Sequence, residues 1–110
     1  MRLPAEYQQL IENRGISLGE FGISDVALNC EDALRAIELL QASFTRILGG
    51  DVYVRKSDRI ELAYANWHSD PTATETHDQF AERSCLEAKR YISEYPLSEA
   101  VPIFGLAIEE

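Results

Sequence analysis

The sequence predicts an α+β domain: an antiparallel sheet built around a central β-hairpin, with two long helices packed on one face. Three observations point there. Between residues 51 and 66, apolar and polar residues alternate in two runs around a short polar turn, the period of a half-buried strand. Two longer stretches, near 30–44 and 75–94, carry apolar residues at helical spacing. A last apolar run, Val101 to Ile108, supplies a further strand. At 110 residues the chain reads as one domain, 1–110, and needs neither metal nor disulfide to bury a core.

Taken in order, residues 4–13 read as a short helix, with Pro4 in its first turn and Tyr7, Leu10 and Ile11 spaced along one side. Gly15 is placed to end it. Residues 16–25 read as a loop pinned by Leu18, Phe21 and Ile23. Their glycines lack the Lys-Ser/Thr ending of a phosphate loop. Val26-Ala27-Leu28 suits a short strand, and Asn29 stands where a helix N-cap belongs, with Asp32 three residues on as in a capping box. The helix from Cys30 to Phe44 should turn Leu34, Ile37, Leu40, Gln41 and Phe44 inward. Thr45 to Leu48 reads as a strand broken from the hairpin by Gly49-Gly50.

Within the hairpin, Val52 and Val54 alternate with Asp51, Tyr53 and Arg55. Past the turn at Lys56-Ser57-Asp58, Ile60, Leu62 and Tyr64 alternate with Arg59, Glu61, Ala63 and Ala65. That pattern predicts antiparallel arms with Val52, Val54, Ile60, Leu62 and Tyr64 on the buried side. Trp67, the only tryptophan, ends the second arm and suits a place over the edge of the core. Asn66 suits the closing of the turn beyond it. Residues 68–74 form a loop rich in turn formers, and Thr74 or Thr76 caps a helix running to Glu94. Its inner stripe is Phe80, Ser84, Ala88, Tyr91 and Ile92, with Cys85 and Leu86 beside it. Pro96 ends it. Gly105 in the final strand suggests a bulge or close packing.

A formal charge of −9 and a pI near 4.6 exclude the basic stripe that a nucleic-acid binder needs, and they disfavour an anionic membrane surface. Such acidity suits basic partners, which it draws in by steering. Cys30 and Cys85 lie far apart with no Cys-x-x-Cys, as expected of reduced thiols in the cytoplasm. The opening residues do not read as a signal peptide, and no apolar run has the length of a membrane span.

Catalysis finds little to stand on. His68, Asp70, His77 and Asp78 are close in sequence, but two fall in a loop and two begin a helix, so nothing forces them around a metal. An enzyme built on the His68-Asp70-His77 loop would require that metal. Cys85 has no base near it in sequence, and Asp58 and Glu61 belong at an exposed hairpin tip and face. Gly49-Gly50-Asp51 is similar to a metal-holding hairpin of nucleotidyl cyclases, which are longer and need further acids. No catalytic residue, metal or cofactor is predicted. A small-ligand-sensing or regulatory module, with Trp67 and Tyr64 lining one pocket, is the alternative.

The run Ile47-Leu48-Gly49-Gly50-Asp51-Val52-Tyr53, then Ile60-Glu61-Leu62, Asn66-Trp67 and a helix with Ala88-Lys89-Arg90-Tyr91-Ile92, resembles the immunity protein 40 family over residues 25–108. His68 departs from it, where another aromatic is expected. The resemblance implies a small bacterial protein without a catalytic residue, encoded beside a polymorphic toxin that it binds and neutralises. A basic, nuclease-type toxin suits the acidity. Asp51, Tyr53, Asp58, Glu61, Trp67 and Asp70 are the expected toxin-binding residues, on the hairpin's wet face or its ends. Gly49, Gly50 and Asn66 are expected to hold the fold.

Overall fold

The computed structural model describes residues 3–18, 26–57, 59–96 and 100–109. Three helices lie on a five-stranded antiparallel sheet of order β1-β2-β5-β3-β4, an α+β architecture. The elements are α1 (Ala5–Arg14), β1 (Ile16–Ser17), β2 (Val26–Asn29), α2 (Cys30–Ala42), β3 (Arg46–Lys56), β4 (Arg59–His68), α3 (His77–Glu94) and β5 (Val101–Glu109). The hairpin β3–β4 fills one flank, β5 runs down the middle, and β4 is an edge. The two-residue β1 falls inside a stretch expected to be all loop; Phe21 and Ile23 of that stretch lie outside the described residues.

Both faces of the sheet are used. Toward the helices, Leu28, Ile47, Val52 and Phe104 meet Tyr7 of α1, Ala33, Ile37 and Leu40 of α2, and Cys85, Ala88 and Ile92 of α3. On the opposite face a smaller cluster joins Leu18, Ala27, Tyr53 and Ile103, with Ile16 and Ile60 against it. Alternation along β3 and β5 produces both, because neighbouring residues point to opposite sides. Periodicity alone reads the second face as wet. The residues that cover part of it sit far away in sequence, in β1, β2 and β5.

The helix boundaries follow local chemistry. Asn29 caps α2, its side chain accepting the Asp32 N–H at 2.8 Å. The reciprocal half of the expected box is absent, because the Asp32 carboxylate takes Arg14 at 2.9 Å instead. Thr76 and Gln79 form a complete capping box at α3. Helix α2 stops at Ala42, short of Phe44. There Thr45 N–H returns to Leu40 O at 3.0 Å and Phe44 N–H to Gln41 O at 3.1 Å, a Schellman turn. Phe44 takes the left-handed position (φ 55) that glycine usually fills, and it is 52% exposed rather than on the inner stripe. On α3, Leu86 is half exposed, and Ala81 and Cys85 are buried in its place.

Ser84 explains a polar residue in an apolar stripe. Its buried hydroxyl accepts Ile47 N–H at 3.1 Å and donates to Ala81 O at 3.1 Å, joining α3 to β3. Burial among apolar groups pushes the Cys85 thiol up to about 11, so it stays protonated.

Candidate functional site

Gly49-Gly50 does not break the strand. β3 runs through both glycines, with Gly49 opposite His68 and Gly50 opposite Trp67. Each glycine makes room. A Cβ on Gly50 would stand 2.3 Å from Cη2 of Trp67 and 2.5 Å from Gly105 O, so the indole lies where a side chain would be. Gly49 (φ 150) sits as tightly under the backbone at Trp67 and His68. The Gly-Gly and the tryptophan are therefore one packing device. Trp67 is half-buried against the core and stacks on Tyr91 of α3, centroids 4.7 Å apart. Its indole N–H is buried and finds no acceptor among the described residues.

The hairpin contains a second device. Lys56 pairs with Arg59 across a tight turn in which Ser57 is left-handed (φ 52). Carried straight along the arms, that register would set Asp51 against Tyr64. The Gly50–Trp67 pairing instead sets Asp51 against Asn66. Ala63 and Tyr64 are left over between the pairs Val52–Ala65 and Tyr53–Leu62, and they form a bulge. The turn register reverses the expected burial of β4: pairing Lys56 with Arg59 sets Ile60 and Leu62 opposite Arg55 and Tyr53 rather than opposite Val54 and Val52, and the two-residue bulge leaves that alternation unchanged. Ala63, Ala65 and Trp67 pack toward the helices, while Leu62 is 45% exposed and Tyr64 89% exposed with φ 56.

The expected site residues are distributed accordingly. Asp51 lies on the face away from the helices, exposed and without an ion pair among the described residues, beside exposed Asn66. Asn66 closes no turn, because β4 continues past it to His68. Tyr53 shares that face but is not wet: it is 5% exposed beside Ile103, with its ring edge passing Gly105. Gly105 would accept a Cβ at an ordinary 3.7 Å, and the β3–β5 register passes it without a shift. Glu61, opposite Val54, faces the other way and is held by Lys56 at 3.2 Å and Arg59 at 3.3 Å. Trp67 is on the helix side. Asp70 is exposed, its carbonyl taking Arg83 at 2.6 Å. Asp58 lies outside the described residues.

The structure thus brings Asp51, Asn66 and the edge of Tyr53 together and separates Glu61, Trp67 and Asp70 from them. What joins the first group is the pair the alternation expected to be buried, Leu62 and Tyr64. Asp51, Tyr53, Leu62, Tyr64 and Asn66 line a depression of about 260 Å³. The short turn and the Gly50–Trp67 pairing require registers that differ by two residues, and the bulge absorbs the difference.

The loop before α3 is clamped. Arg83 bonds Glu75 at 2.6 and 2.8 Å, Glu87 at 3.0 and 3.1 Å, and Asp70 O, while lying over the Phe80 ring at 5.1 Å. Ser69 donates to Glu87 at 2.5 Å. The Arg83 guanidinium holds the Glu75 carboxyl down at about 2, and its own value is raised in return. His77 is turned to Phe44 O at 3.1 Å. Among the described residues no three His, Cys, Asp or Glu side chains come together as a metal would need.

Trp67 and Tyr64 do not share a pocket. Trp67 borders a separate cleft with His68, Glu87 and Tyr91, and a third, apolar cavity of about 270 Å³ lies under α1 between Tyr7, Ile11, Leu28 and Phe104. Charge is uneven too. The strands hold Asp51, Glu61 and Glu109 against Arg46, Arg55, Lys56 and Arg59, so the excess acid of the described residues sits on the helices and the loop before α3. None of the described helices is long and apolar enough to cross a membrane.

The family model described as Immunity protein 40 matches residues 17–108, most of the chain. No curated protein and no solved structure matches it.

Proposed function

We propose, from the premise that this chain belongs to the immunity protein 40 family, that it binds and neutralises a cognate bacterial toxin domain by steric and electrostatic blockade. The family match carries this reading, since an immunity protein implies a toxin as its partner. The surface we assign to the contact is the exposed half of the hairpin face, with Asp51, Asn66, Leu62 and Tyr64 at its centre. What supports it is composition: an apolar and aromatic pair beside polar groups free of internal partners is the makeup of a binding surface.

Of the other expected residues, Glu61, Trp67 and Asp70 take rim positions, and Tyr53 forms the floor. The mechanism uses no catalytic group of this chain. It covers toxin surface, and the net acidity hastens encounter with a basic, nuclease-type toxin. The protein is expected to work in the cytoplasm, where such a toxin would otherwise act on its own producer.

Co-expression with the toxin domain encoded beside this gene tests the reading. Growth rescue together with a complex that survives size exclusion is the expected result. Killing in the presence of folded protein, or no complex, overturns it. A small-ligand module is the second reading, favoured by the apolar cavity under α1; a compound retained in a native mass spectrum would carry it.

A further inference from the structure

We propose that the depression at the β-bulge receives one basic side chain, a lysine or an arginine, of the toxin; this rests on the toxin-binding reading above. The lining selects that chemistry. Asp51 is exposed and has no ion pair among the described residues, whereas three of the strand cations are already occupied, Arg46 by Glu109 and both Lys56 and Arg59 by Glu61. Its carboxylate is therefore free for an incoming cation. The Tyr53 and Tyr64 rings give that cation aromatic surface, and Leu62 gives its aliphatic stem an apolar wall. Asn66, level with Asp51 across the ladder, adds an amide oxygen that accepts from an ammonium or guanidinium. An anionic side chain would meet Asp51 at close range. An apolar one would strip water from Asp51 and Asn66 and return no hydrogen bond.

Tyr64 adds an independent reason to look here. A large aromatic held at φ 56 and 89% exposed carries a backbone cost and buries almost nothing within its own chain. Its ring is placed for something that arrives from outside. Leu62 and Asn66, two positions to either side, share its face of the sheet, and the bulge brings Asn66 level with Asp51.

The test is titration of the adjoining gene's toxin domain with wild-type protein, with Asp51→Asn, with Tyr64→Ala, and with the double change Asp78→Asn/Glu82→Gln on the outer side of α3. Circular dichroism melts accompany each, to show that the fold is intact. Asp51→Asn and Tyr64→Ala are each expected to raise Kd about tenfold or more, with a flatter salt dependence for Asp51→Asn, while the α3 variant stays within about threefold. In a double-mutant cycle, one Lys or Arg→Ala on the toxin should be strongly non-additive with Asp51→Asn. Hairpin variants that bind like wild type, with the loss at α3 instead, would overturn this proposal and leave toxin binding standing. If wild-type protein forms no complex, the toxin-binding reading falls and this one with it.

Discussion

At the scale of single residues, the firmest statements concern positions where an atom has nowhere else to go. Gly50→Ala places a methyl inside the Trp67 ring and against Gly105 O, both of them immobile. It should destabilise the domain by about 1–3 kcal/mol or more, and the tryptophan emission of the native state should shift with the indole. A denaturant titration that leaves the midpoint unchanged would refute the packing account. Phe44 gives the opposite sign. It occupies a left-handed turn with half its surface in water, so Phe44→Gly removes strain and loses little burial. A gain of about 1 kcal/mol is expected in the same titration; a loss would mean the ring contributes more than its exposure suggests. The sequence reveals such positions only in part. The Gly-Gly pair marks a special place, but which side chain fills the space above it depends on a strand paired from beyond the turn.

At the scale of elements, the helices and the hairpin were legible because their signals are local. Asn29, Thr76, Gly15 and Pro96 stand at or just past the helix ends where the residue types predict them. The burial of β4 was not legible, because alternation says which residues share a face but not which face is buried; that depends on the register across the turn, and pairing Lys56 rather than Arg55 with Arg59 exchanges the two sides. The loop before α3 was legible as a loop, but its fastening was not, because Arg83, which bonds Glu75 and Asp70 O, lies on the next helix. That clamp has a pH signature. Glu75 titrates at about 2 in the folded chain against 4.5 unperturbed, so its contribution is complete above the unfolded value and disappears as pH falls from 4.5 toward 2. Glu75→Gln should therefore flatten the stability profile over that interval without changing its shape near neutrality. Parallel profiles for the two proteins would show that the ion pair contributes nothing measurable.

At the scale of the whole molecule, the sheet is covered by helices on one side and half covered by its own strands on the other. Among the described residues, the patch around Asp51 and Tyr64 lies exposed on that second side. Family membership implies a toxin partner, and the contact proposed above rests on this uneven coverage; neither could be read from the net charge, whose excess lies mainly on the helical layer. The edge strand carries a further consequence. A ten-residue edge such as β4 offers unpaired backbone to any neighbouring chain and is a template for aggregation. Here the bulge at Ala63 and Tyr64 breaks the edge into two short flat pieces, and the opposite edge, β1, is only two residues long. An immunity protein has to stay dispersed to meet its toxin. The kink that displays Tyr64 also keeps copies of this chain from joining edge to edge into fibres.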